Sequence, residues 1–322
     1  MRSVNSAISQ AVAAFQPDGD RSHHYPALSQ ARLAVQSQDL EALAQIYRTA
    51  DSWSLRWAVI EEAAGCGGEA YWRAVAARAP GDPWVLALLA ECLVLTGWDV
   101  RGSGLGSTVT QAQARLFHEY LLEAEQCLMR ACAIDPGFLP PWVTRLKTAR
   151  GLGVGAGETQ RRYAAAAQAD PDCWAAQREA MEDFLPKWHG SWEMAFDFAR
   201  QCSNVAPPGS PTHSIVAEAL LAGWAHSDVD SLRDYLADGT IQAEIETAAS
   251  RSVLNPAFTR QFGWVEALTA FAVVLSSMAR WPQAKHCFGM LGPFYWRMPR
   301  FFNPDRVERV FLEFRGSAMR LG

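Results

Sequence analysis

Apolar positions recur with helical spacing along most of the chain, and no run alternates with the period of two that a half-buried strand needs. Read with the Gly and Pro punctuation, this periodicity predicts helices near 3–14, 27–37, 39–49, 52–64, 68–79, 83–96, 111–134, 140–151, 157–169, 172–185, 191–203, 211–225, 228–237, 239–250, 262–279, 281–291 and 304–319. The widest interruption is Gly97–Thr110. Four glycines in these fourteen residues rule out a helix interior, so the segment reads as an enlarged loop, with Thr110 as the N-cap of the long helix that follows.

One phrase returns: a small residue, a short helical stretch, then Asp-Pro. It stands at Ala131-Cys132-Ala133-Ile134-Asp135-Pro136 and again at Ala166-Ala167-Gln168-Ala169-Asp170-Pro171, with weaker copies ending at Pro80 and Pro207. The proline ends the helix by removing an N–H and by disfavouring a helical residue before it. An aromatic opens the next helix at Trp84, Trp142 and Trp174. Pro136 to Pro171 is 35 residues and Pro171 to Pro207 is 36, close to the tetratricopeptide period of about 34. The usual Leu-Gly after the early Trp is absent. The expected fold is therefore all-α, an α-α superhelix of tetratricopeptide-like antiparallel helix pairs. It is taken as one helical-repeat domain over 1–322, with a partly linker-like 1–25, best-defined repeats over 76–222 and irregular repeats with a cap over 223–322.

Composition narrows the function classes. Apolar residues make up 49% and charged residues 20%, a globular balance. The net charge is −5 and no Lys/Arg block exists beyond Arg161-Arg162, which reads as a solvated turn, so no nucleic-acid partner is expected. No unbroken run of 18 apolar residues and no hydrophobic leader core are present, so no membrane partner is expected and the cytoplasm is the expected location. The seven cysteines are odd in number and lack C-x-x-C spacing, which argues against a disulfide or zinc framework and for small buried hydrophobes. Thirteen tryptophans need packing layers, which stacked helices provide.

In such a stack the turns inside each helix pair share one edge. That edge gathers Trp98-Asp99-Val100-Arg101-Gly102, Gly151 to Gly157, Pro186-Lys187-Trp188-His189-Gly190-Ser191-Trp192 and Trp224-Ala225-His226-Ser227. Starting points for the Trp98 and Trp188 loops are expected about 20 Å apart, two helix diameters, with the long loop draped between them. Trp98, Asp99, Arg101, Lys187, Trp188 and His189 then form a composite ligand-binding edge, because binding residues favour loops on a rigid scaffold. The same residues also read as core anchors, a helix-end arginine and a loop histidine. His118, on the long helix, joins the candidate ligand-binding set.

Other motifs carry less. Gly151 to Gly157 lacks a preceding strand and a Gly-Lys-Ser/Thr ending, so it reads as a helix C-cap and turn rather than a phosphate loop. His23-His24 beside Asp18 and Asp20 reads as a linker. His118 and Glu125 are seven apart on one face, without the second His a metal site would need. No metal, no cofactor and no catalytic residue is assigned.

The chain resembles a group of tetratricopeptide-like proteins frequent in actinobacteria over roughly 76–222, more weakly over 284–299. The resemblance rests on Trp98-Asp99-Val100-Arg101-Gly102, Phe117-His118, Ile134-Asp135-Pro136, Pro141-Trp142, Ala149-Arg150-Gly151-Leu152, Lys187-Trp188-His189-Gly190-Ser191, Phe198-Ala199-Arg200 and Pro208-Gly209-Ser210. It implies a fold and a set of positions, not a chemistry. The functional expectation is a binding module for a protein, a peptide or a small ligand, on a concave face or on the turn edge. The alternative is an enzyme or small-molecule-binding protein of a specialised biosynthetic pathway, with a composite site between the 97–110 and 186–192 loops. A third reading is a homo-oligomer joined through Phe294-Tyr295-Trp296 and Phe301-Phe302, residues that equally suit an end cap.

Overall fold

Seventeen α-helices, one short 3-10 turn and an isolated bridge make up the regular structure of the described residues in the computed structural model. It describes residues 15–102, 104, 108–188, 190–298 and 304–322, with only the backbone of 304–307. The helix expected over 3–14, His189 and the Phe301-Phe302 pair lie outside the described residues. By contacts the chain divides into two compact units, one of Tyr25–Ala195 and one that joins the N-terminal segment to Phe196–Gly322.

The Tyr25–Ala195 unit holds α2 (Pro26–Gln36), α3 (Leu40–Thr49), α4 (Trp53–Gly67), α5 (Glu69–Arg78), α6 (Pro83–Arg101), α7 (Gln111–Ile134), α8 (Leu139–Leu152), α9 (Ala156–Ala169) and α10 (Trp174–Asp183). Their starts follow local chemistry. Asp82 accepts from the Trp84 N–H at 2.8 Å ahead of Pro83, and Thr110 forms a capping box with Gln113. Each helix packs on the next from α5 to α10, while α4 also lies against α6, α8 and α10. Leu43, Ile60, Trp72, Leu88, Leu93, Leu121, Leu128 and Leu139 fill the interior. At one end Ser54 ties α4 to α10: its Oγ accepts from the Ala175 N–H at 3.2 Å and lies 3.5 Å from Cys173 Sγ.

The two Asp-Pro phrases fold alike. Asp135 and Asp170 are both extended C-caps. Asp135 Oδ1 accepts from the Gly137 N–H and Asp170 Oδ1 from the Asp172 N–H, both at 3.0 Å. Six residues after each proline, a side chain returns to the proline carbonyl: Trp142 Nε1 to Pro136 O at 3.3 Å and Gln177 Nε2 to Pro171 O at 3.0 Å.

The second unit contains α1 (Arg21–His24), most of α11 (Trp192–Val205), a 3-10 turn at Pro211–His213, α12 (Ser214–Ala225), α13 (Leu232–Tyr235), α14 (Gly239–Arg251), α15 (Trp264–Ser277), α16 (Trp281–Leu291) and α17 (Pro304–Leu321). Every residue of α15 is buried, as its near-uniform apolarity requires, and it packs against α12, α14, α16 and α17. The segment expected to be linker-like is docked over residues 15–24. The Asp18 N–H donates to Pro293 O at 2.7 Å, the Tyr295 N–H donates to Asp18 O at 3.0 Å, and Asp18 also holds His23 and His24.

Two further differences from the sequence reading concern α6. The helix runs through Arg101 rather than stopping near 96, because the bulk of Phe117 and Tyr120 seats Gly97 as a packing contact, not as a break. By length and composition α6 is also apolar enough to cross a membrane, with a mean hydropathy of 1.5, although Glu91 breaks any continuous apolar run. In this structure α4, α5, α7 and α8 surround it.

Candidate functional site

The C-terminal ends of α6 and α8 meet the turn after α10, and the meeting point is aromatic. The Trp98 and Trp188 rings stand edge to face, 5.7 Å between centroids, and Phe117 of α7 packs on Trp98 at 4.9 Å. Gly151 makes this possible: a Cβ there would sit 2.2 Å from Leu121, 2.8 Å from Phe117 and 3.4 Å from Trp98. Gly190 holds the turn behind Trp188, since a Cβ there would fall 2.0 Å from the Phe184 carbonyl oxygen.

Two guanidinium groups flank this pair. Arg101 Cζ lies 5.5 Å from the Trp98 centroid and 5.7 Å from that of Trp188, and Arg150 Cζ lies 5.6 and 5.9 Å from the same rings. Arg150 is buried and paired with buried Glu179, at 2.9 Å to its carboxylate. Lys187 pairs with Glu182 at 2.8 Å, and the Trp188 indole donates to that same carboxylate at 3.3 Å. Arg101 Nη1 donates to the carbonyls of Gly102 at 3.0 Å and Gly104 at 3.3 Å.

Below the aromatic pair lies an ionic cluster that the sequence reading missed. Glu91 of α6 is completely buried and accepts from Lys147 Nζ and from the Thr144 hydroxyl, the latter at 2.6 Å. Lys147 also reaches Glu61 of α4 at 3.1 Å and stands 5.4 Å from the centre of the Trp57 ring. One ammonium thus serves two carboxylates. Burial pushes the Glu91 carboxyl above its usual range despite Lys147. Burial alone would lower the Lys147 pKa, but Glu91 and Glu61 outweigh it and hold the amine charged. The available sequence signal was a lone Glu inside the apolar run of α6, with Thr144, Lys147, Thr148 and Arg150 crowded into the equally buried α8.

The candidate residues therefore separate. Trp98, Arg101 and Trp188 come together, with Lys187 beside them on Glu182, and Trp98 and Arg101 lie on the last turn of a helix rather than in a draped loop. The Trp98 and Trp188 segments, whose starting points were expected about 20 Å apart, stand ring to ring, with α6 and α7 closed on α8 at Gly151. Asp99 is exposed on α6. His118 is exposed on α7, beside an open depression of about 680 Å³ also lined by Arg115, Glu119 and Leu122. Glu125, expected to share a face with His118, is buried instead: its carboxylate takes Arg145 at 2.8 Å, Arg162 at 3.1 Å and the Thr148 hydroxyl at 2.6 Å. No cluster of three His, Cys, Asp or Glu side chains suited to a metal ion occurs among the described residues.

Compared with protein-family models, curated proteins and solved structures, the chain matches none of them.

Proposed function

We propose that this chain is a binding module of tetratricopeptide-like helix pairs, which takes a peptide, protein partner or small ligand along the edge centred on Trp98 and Trp188. The matching Asp135-Pro136 and Asp170-Pro171 turns support the repeat reading, since two helix ends of like sequence make the same bonds. The observation that carries the binding reading is the Trp98–Trp188 contact. Side chains far apart in sequence form a rigid, half-exposed aromatic surface with two arginines against it, a composition common where proteins hold partners.

Catalysis is the weaker reading. Lys187 and Arg150 each engage a carboxylate, which suits orienting a ligand better than moving a proton. Native mass spectrometry of the chain purified from its own host tests the proposal. It expects a retained mass that Trp188→Ala loses. A bare chain under gentle conditions, or a retained mass indifferent to Trp188, contradicts it.

A further inference from the structure

We infer that the Arg101 guanidinium, seated against Trp98 and Trp188, receives the carboxylate of a small aromatic acid. The inference rests on the binding-module reading and names a ligand class for that edge. Three cations gather at the aromatic pair, and two are already answered: Arg150 by Glu179 and Lys187 by Glu182. Among the described residues no carboxylate lies within ion-pair reach of Arg101, whose bonds go to the carbonyls of Gly102 and Gly104. Asp99 does not supply the missing charge. Trp98 and Arg101 are three apart and share a helix face, whereas Asp99 is turned about 100° from Trp98.

In the ring against which Arg101 is seated, Trp98 Nε1 is buried without a hydrogen-bond partner. Arg101 thus meets neutral carbonyls and no counter-charge, which selects for a negatively charged acceptor. An arginine fork matches the two oxygens of a carboxylate. The rings hold Arg101 at 5.5 and 5.7 Å and leave it half-exposed, so the fork is fixed in place yet reachable. Indole walls favour an aryl group on that carboxylate through edge and face contacts.

The test uses the full chain and benzoate, with benzamide as the uncharged isostere and inorganic phosphate as the competing anion. Calorimetry gives affinities, and the Trp98 indole N–H resonance reports the place. The expected result is saturable benzoate binding that shifts the Trp98 resonance, with no benzamide binding and weaker phosphate binding. Arg101→Gln should weaken benzoate by about tenfold or more, and Arg101→Lys should recover only part of it, since it keeps the charge and loses the fork. Thermal unfolding of both variants checks that they are folded. Equal response to benzoate and benzamide, no benzoate binding, or unchanged affinity in Arg101→Gln overturns the inference, and tighter phosphate binding overturns the aryl-carboxylate assignment. A retained native mass that needs Trp188 while benzoate fails to bind removes this inference and leaves the module reading standing. Benzoate binding that needs Arg101 with no such native mass upholds this inference and removes only a tightly held host partner from the module reading.

Discussion

Trp98 and Trp188 meet edge to face at 5.7 Å although one ends α6 and the other follows α10. A contact between the ends of two separate helices couples them energetically. Aromatic pairs of this geometry contribute about 0.5–1.5 kcal/mol beyond the area they bury. Urea unfolding of Trp98→Ala, Trp188→Ala and the double variant should give a coupling of that size. Strict additivity would mean that the rings are neighbours without being partners.

Gly151 sits where α8 approaches α6 and α7. Its replacement by alanine drives a methyl group into Leu121 and Phe117, and overpacking of this kind costs about 1–3 kcal/mol. The denaturation midpoint of Gly151→Ala should fall accordingly, and the Trp98 indole resonance should move with it. Gly157→Ala, with nothing near the added carbon, is the control and should stay close to the parent.

Lys147 neutralises Glu91 in a site without solvent. Lys147→Met removes the cation and leaves the carboxylate buried, a change that costs about 3–5 kcal/mol. Glu91→Gln combined with Lys147→Met should recover much of that loss, because the pair is a weaker asset than either member's removal suggests. Chemical denaturation of the three variants reads this directly. A double variant no better than Lys147→Met alone would show that Glu61 is the more important partner.

His213 is fully buried, with Nδ1 at 2.9 Å from the Ser203 hydroxyl and Nε2 at 3.1 Å from Pro207 O. The carbonyl requires a donor, so Nε2 carries the proton and Ser203 donates to Nδ1. Burial lowers the His213 pKa below the ordinary 6.5. The unfolded chain therefore takes up a proton as pH falls through 6.5 while the folded chain does not, and stability drops with a slope of up to about 1.4 kcal/mol per pH unit. His213→Gln should lack this component as pH falls below 6.5, so its difference from the parent should narrow as the solution is acidified.

Much of the helix pattern was legible because periodicity and caps are local. Thr110 begins its helix as its side chain dictates, and the two Asp-Pro turns end theirs. The end of α6 was not legible, since Gly97 argues for a break until Phe117 and Tyr120 are placed beside it. The reading placed Trp98, Arg101 and Trp188 in one composite site, where the structure also groups them, but spacing carries no information on whether two rings touch. The Glu61, Glu91 and Lys147 cluster escaped for a related reason. A charged residue in an apolar helix looks the same whether it faces water or a counter-charge from another helix.

The most direct test of the binding surface is photo-crosslinking in the native host, with a photoreactive residue in place of exposed Pro186, in the turn that carries Trp188, and, as control, of exposed Leu33 on α2. The account predicts a discrete adduct from position 186 that Trp188→Ala abolishes, and none of that mass from position 33. The same adducts at both positions, or none at position 186, would contradict it.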